Sequence, residues 1–522
     1  MSTHIPSPPP PDPEDVAPRE PAVMSVRSAA VWAMASQYGA FVIQFATSVI
    51  ISRFFLAPDE VGLFSIALAA ALLVAVLQDF GLSRYISGLP RLTPEEVNRC
   101  SSVAFIFSLI ITAIIAALAW PLALFYGLPQ LGPLLLIIAG SYLFLPMSVV
   151  PLALMARSMR FTGHFAVNVG GAAVHGVVAL SLAWWGFSAF SLAWAVLATG
   201  LARGVIAQVI QPAKTFPLRL DGLKPVLSFG GKASTLYMTG ALGSRSPDMI
   251  VGKLVDLFAV GLFSRATSLA EQFRALIAGA IGGVFYPAFA RLRDNGEPLA
   301  PAYLRVVAGY TALVWPGMAG LALAAWPLVM LLYGEVWIET APLLTMIALQ
   351  AALLMALPLV SDLPILLGRM NRLLALNILE TAVSIALLVA GSLLAGAWGA
   401  AASRLIYALA FMAIYLGFMR GLVGFSWRGW LTILAKSLAV TVAALAPLAL
   451  TYLYWMGPHE ITFPVLLLAV AGGALGWLCT MFGTRHPALD DLCRMAAPLV
   501  RPLLPRLGAW LEGERKWAGK AP

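Results

Sequence analysis

Val61-Gly62-Leu63-Phe64-Ser65-Ile66-Ala67-Leu68-Ala69-Ala70 returns further along the chain as Val260-Gly261-Leu262-Phe263-Ser264-Arg265-Ala266-Thr267-Ser268-Leu269, and each copy opens a long apolar run. A membrane chain that repeats itself after about six spans is typically a two-lobed transporter with its pathway between the lobes. Working outward from this echo, composition settles the class. Of the 522 residues, 60% are hydrophobic and only 11% charged, and the mean hydropathy is +0.88, far outside the range of a soluble domain. Crossing a bilayer takes about 20 apolar residues. Fourteen stretches approach that length, starting near 29, 61, 100, 130, 161, 187, 225, 259, 303, 337, 371, 398, 431 and 461. The expected fold is an all-α polytopic membrane protein of about 14 transmembrane helices.

Loop charges set an orientation. With the N-terminus inside, the inner loops and both tails hold 24 Lys and Arg residues, while the outer loops hold Arg53 and Lys253 alone. That bias follows the positive-inside rule and supports the span count, because one missed span would invert every later loop. The net charge of +9 is therefore topological, and nucleic acid is not implied. The expected organisation is a Pro-rich cytoplasmic tail over 1–26, an N-lobe of spans 1–6 over 27–210 and a basic connector over 211–224. A C-lobe of spans 7–12 over 225–420 follows, then spans 13 and 14 over 431–483 and a basic tail over 484–522 with an amphipathic pattern. Six spans per lobe give both lobes the same orientation, so the pseudo-two-fold axis runs along the membrane normal.

The outer loops are too short for a soluble catalytic domain, no phosphate-loop motif occurs, and the three cysteines fit neither a disulfide framework nor metal spacing. The chain reads as a non-enzymatic transporter with no metal and no cofactor. A polymerase or ligase would need a sizeable outward loop, which the pattern lacks.

Charges inside spans carry the functional signal, since each costs about 2.5–3.5 kcal/mol at the bilayer centre unless it finds a cavity or a partner. Arg245 with Asp248, and Glu271 with Arg274, are spaced i,i+3 and suit internal pairs. Lys232 and Arg265 have no acidic neighbour at such spacing, which makes them the better candidates for an anionic ligand. Arg265 and Arg274 are nine residues apart, half a turn out of phase, so one cavity does not serve both equally. Position 265 is Arg where its echo is Ile66, so the second lobe has gained a cation. Arg53 closes span 1 beside Asp59 and Glu60, where it suits an interface anchor or a gate. His164 and His175 share one stripe of span 5 and raise the idea of a proton relay. Trp32, Tyr38, Tyr237 and Trp315 are candidate sugar-contacting aromatics.

Three blocks carry a family likeness. Ser52-Arg53-Phe54-Phe55-Leu56-Ala57-Pro58-Asp59-Glu60-Val61-Gly62-Leu63 resembles the end of the first span of Wzx-type polysaccharide flippases. The stretch from Asp248 through Arg265 to Leu292, and that from Pro316 to Leu344, are similar to later spans of the same group. The resemblance covers roughly 27–420 and implies the multidrug/oligosaccharidyl-lipid/polysaccharide exporter fold. There, spans 1, 2, 7 and 8 line a central cavity, where Arg53, Lys232, Arg245, Arg265 and Arg274 fall as the implied substrate-binding cations. The implied substrate is an undecaprenyl-diphosphate-linked oligosaccharide of exopolysaccharide or lipopolysaccharide biosynthesis. The implied setting is the bacterial inner membrane with both termini cytoplasmic, among membrane lipids and the polymerase and export machinery of such a pathway. Two alternatives share the fold: a peptidoglycan-precursor (lipid II) flippase and a cation-coupled multidrug exporter. The second would want a buried acid in span 1, which has none.

Overall fold

The computed structural model describes residues 26–76, 93–214, 224–282 and 285–500, with the single positions 24, 86 and 218. Almost all of the tail expected over 1–26, much of the 211–224 connector and the end of the basic tail, 501–522, lie outside these. Among the described residues every regular element is helical. The first half holds α1 (Val26–Phe54), α2 (Pro58–Ala75), α3 (Pro94–Tyr126), α4 (Leu131–Tyr142), α5 (Pro146–Arg157), α6 (Phe161–Trp184) and α7 (Ala189–Ile210). The second holds α8 (Lys224–Leu254), α9 (Leu257–Gly282), α10 (Phe285–Asp294), α11 (Leu299–Leu323), α12 (Ala325–Leu332), α13 (Thr340–Leu354), α14 (Asp362–Leu366) and α15 (Met370–Val423). Then come α16 (Trp427–Tyr454), α17 (Phe463–Gly483) and α18 (Leu489–Val500).

Local chemistry explains the boundaries. Pro58 opens α2, where its missing N–H costs nothing, and the Glu60 carboxylate accepts from the Ala57 amide at 2.8 Å. Thr93 and Glu96 form a reciprocal capping box ahead of α3 (3.2 and 2.8 Å), which ends at Gly127 with φ +70°.

By length and composition, nine described helices suffice to cross a bilayer, and ten do if α4 and α5, bent by 42°, form one broken span. Helices stand at the other expected positions as well. Charges dilute α8 and α9, α13 has only 15 residues, and α15 is two helices in one. Its backbone breaks at Ala395 and Gly396, where φ is +56°. Across that break Arg404 reaches Ser384 (3.1 Å) and Tyr415 reaches Glu380 (2.7 Å), so the 54-residue element folds back as a hairpin.

First-half helices pack on one another (α1 on α6, α6 on α7, α3 on α4), and so do second-half helices (α8 on α15, α11 on α13 and α16). The halves meet where α2 crosses α9, and this is where the repeated decapeptides lie. A Cβ on Gly62 would stand 2.0 Å from the Leu257 carbonyl oxygen, and one on Gly261 1.8 Å from that of Pro58. The Ser65 hydroxyl donates to Ser264 at 2.9 Å, across a sequence separation of 199. Each partner is thus the repeat-equivalent of the other, the mark of a two-fold contact. Each glycine sits against the opening residue of the opposite helix, so the helices run parallel and their axis lies along them. Only a residue without a side chain lets two backbones approach this closely. The echo is a packing interface.

Candidate functional site

Ile66 and Arg265 hold equivalent places beside this crossing. Ile66 is fully buried and presses on Gly252 of α8. Arg265 is turned toward α1 instead, and only 9% of it is exposed. Its guanidinium donates to the Ser48 hydroxyl and stands 5.7 Å from the centre of the Trp337 ring and 6.0 Å from that of Tyr333. Its Nε is buried without a partner, and among the described residues no carboxylate pairs with it. A desolvated cation–π contact contributes about 2 kcal/mol and a neutral hydrogen bond about 1. The group is therefore held in place while most of its five donors stay uncommitted.

The last turns of α1 tie this cation into a seam between the halves. Ser48 and Ser52 lie one turn apart and face the same way. The Ser52 carbonyl accepts from the indole N–H of Trp337 at 2.8 Å, with Trp337 only 1% exposed. Arg53 donates to the carbonyls of Met330 (3.2 Å) and Leu331 at the end of α12. Nearby, the Tyr126 hydroxyl donates to the Met249 carbonyl at 2.9 Å, and Lys253 reaches the Phe125 carbonyl while standing 4.4 Å from that ring's centre. These contacts gather at the end of the bundle where α1 finishes and α2 and α9 begin.

The other expected site residues lie elsewhere. Arg274 pairs with Glu271 at 2.5 Å, as their spacing suggested. Arg245 and Asp248 differ from expectation: among the described residues they form no ion pair, with Arg245 exposed and Asp248 half-buried. Lys232 lies on α8, but its side chain falls outside the described residues, as does that of Tyr237. His164 bonds the Leu152 carbonyl (3.0 Å) and stacks on Phe161, whereas His175 meets Thr199 (3.3 Å). Their partners are separate, so the shared stripe does not join them into one chain of hydrogen bonds. Trp32 packs edge-on to Phe165, and the indole N–H of Trp315 is buried and unpartnered. Sequence reasoning missed Ser48, Tyr333 and Trp337, which no spacing rule connects to Arg265.

The sequence profile of a family described as "Polysaccharide biosynthesis protein" matches residues 50–342, more than half of the chain. Among curated proteins, the chain is 27% identical over 338 residues to the succinoglycan biosynthesis transport protein ExoT of Rhizobium meliloti. That alignment covers 62% of this chain and 65% of that relative's length. It is 20% identical over 351 residues to the lipopolysaccharide biosynthesis protein WzxC of Escherichia coli, covering 65% of this chain and 70% of that protein. Among solved structures, the fold is similar to that of the lipid II flippase MurJ in an inward closed conformation. The TM-score is 0.70 at 15% identity, over 87% of this chain and 99% of that one.

Proposed function

The chain belongs to the polysaccharide biosynthesis protein family, and from that premise we propose that it is a flippase for lipid-linked oligosaccharides. In this reading it carries undecaprenyl-diphosphate-linked repeat units across the bacterial inner membrane by alternating access, for exopolysaccharide or lipopolysaccharide biosynthesis. Both termini then lie in the cytoplasm, and the chain transports without catalysing a covalent step. The observation that carries the reading is Arg265: a buried cation at the junction of the two halves, held by a hydroxyl and two aromatic rings, with no carboxylate among the described residues to neutralise it.

A diphosphate supplies what these partners lack. Charge-assisted bonds to phosphate are roughly twice as strong as neutral ones, and a guanidinium can give two in parallel. An arriving headgroup draws Arg265 off Ser48 and the rings, and with them loosens the seam formed by Trp337–Ser52 and Arg53. Binding energy is thereby spent on opening the outer end, which is how a ligand must act to shift a two-state equilibrium.

The test uses cells whose own copy is deleted. Lipid-linked repeat units should accumulate on the cytoplasmic leaflet, and the wild-type chain should clear them. Arg265→Ala should abolish export at normal membrane abundance, with Arg265→Lys retaining part of it. Failure of the wild-type chain to clear the lipid would refute the flippase reading. Unchanged export by Arg265→Ala would remove that residue from the pathway.

A further inference from the structure

A second polar feature lies within the first bundle. Between α1, α6 and α7 is a cavity of about 530 Å³, inside the roughly 300–1,000 Å³ range of small-ligand sites. Along α1 it is faced by Ser36, Gln37, Phe41 and Gln44, which fall along one side of the helix. From α6 comes Asn168, and from α7 Arg203.

Part of this lining is fixed. Arg203 donates to the Asn168 side-chain carbonyl at 2.9 Å, and the Asn168 amide donates to Ser36 at 3.0 Å. The stem of Arg203 lies against Gly171, where a Cβ would come within 2.5 Å of it. The remainder is unspent. Gln37 and Gln44 are exposed to the cavity and make no hydrogen bond among the described residues, and the Nε of Arg203 is buried without a partner. Unsatisfied polar groups at membrane depth are expensive, and two free amides beside an idle guanidinium donor mark a place that something polar fills.

The chemistry selects the occupant. Side-chain amides both donate and accept, as hydroxyl-rich ligands require, and Phe41 offers an apolar ring face. The described lining holds one guanidinium beside two free amides, with no carboxylate to oppose it. We propose that this cavity is a saccharide subsite that receives a sugar bearing one acidic group, with Arg203 on the acid and Gln37 and Gln44 on hydroxyls. The proposal rests on the flippase reading for the source of that sugar. It separates two tasks along α1: the glycan is held beside Ser36 to Gln44, and the headgroup is answered by Arg265 one turn further on, beside Ser48.

The experiment measures binding of free disaccharides to the purified full-length protein in nanodiscs, by equilibrium dialysis, so that translocation does not enter. The probes are an acidic disaccharide (cellobiouronic acid), its neutral counterpart cellobiose, and inorganic pyrophosphate. The acidic disaccharide should bind at least tenfold more tightly than cellobiose. Arg203→Gln should erase that preference, and Arg203→Lys should restore part of it. Because Arg203 also braces Asn168, Gln37→Ala and Gln44→Ala provide variants that break no hydrogen bond among the described residues; each should weaken both disaccharides severalfold. Equal affinity for acidic and neutral sugars, indifference to all three positions, or displacement of the sugar by pyrophosphate through Arg203 would overturn the subsite. Failure of the flippase reading shows separately, as lipid-linked repeat units that the wild-type chain does not clear.

Discussion

Replacing Gly261 by alanine tests the crossing of α2 and α9 directly. The added methyl would lie 1.8 Å from the Pro58 carbonyl oxygen, 2.5 Å from its carbon and 2.9 Å from its Cα, all backbone atoms that no rotamer change can move aside. Ordinary contact begins near 3.4 Å, so the helices must part locally by about 1.6 Å. That displacement takes the Ser65–Ser264 hydrogen bond, now 2.9 Å, beyond bonding range. Overpacking of this kind costs about 1–3 kcal/mol, and a hydrogen bond between membrane helices adds roughly 0.6. The expected destabilisation is about 2–3 kcal/mol, read by reversible unfolding in SDS-containing mixed micelles. Gly417→Ala is the control. Gly417 is helical, exposed, and has nothing within 4 Å of a new Cβ, so it should be neutral or gain about 0.5–1 kcal/mol from lower unfolded-state freedom. If Gly261→Ala unfolds within 0.5 kcal/mol of wild type (a margin taken from the usual scatter at surface sites), the crossing is not the tight contact described.

Two further outcomes follow from the same geometry. Under the alternating-access reading, Ser65→Cys combined with Ser264→Cys should cross-link under mild oxidant, since the two hydroxyls already touch. The linked protein should stop exporting and recover on reduction; export by the linked form at the unlinked rate would show that this crossing does not open. His486, in the turn after α17, is 2% exposed, accepts from the Ala488 amide through Nδ1 (3.2 Å) and bonds Ser437 through Nε2 (3.0 Å). Burial, with Lys436 nearby, pushes its pKa down from 6.5 to about 4. The fold therefore favours the neutral ring. Its contribution to stability is complete above about pH 6.5 and is lost as pH falls toward 4. Unfolding at pH 7.5 and 5 should show that loss, and His486→Gln should flatten it; an equal slope in the variant would refute the assignment.

Much of the architecture was legible in the chain because a bilayer leaves little choice. Backbone groups cannot be left unpaired in hydrocarbon, so each apolar run of sufficient length must be helical, and the two runs read within 370–423 are the two arms that fold back on each other at Ala395 and Gly396. The half-turn phase between Arg265 and Arg274 was equally plain, because helical geometry is local. The spacing of Arg245 and Asp248 promised a pair that does not form among the described residues: position on a helix sets direction, not contact. The Asn168–Arg203 bond and the contact of Glu380 with Tyr415 were not legible, since nothing in the spacing of residues 35 positions apart implies that they meet.

What the sequence determined by itself is the class, the succession of helices and the presence of a repeat, for these follow from hydropathy and periodicity along the chain. Tertiary structure alone decided what the repeat is for and what Arg265 touches. The two decapeptides are each other's partners across 199 residues, and Arg265 meets a serine 217 positions away. The physical reason is range. Capping, helix phase and membrane insertion act over a few turns, whereas a close crossing at two glycines, or a cation settled among a hydroxyl and two rings, exists only once distant helices have packed.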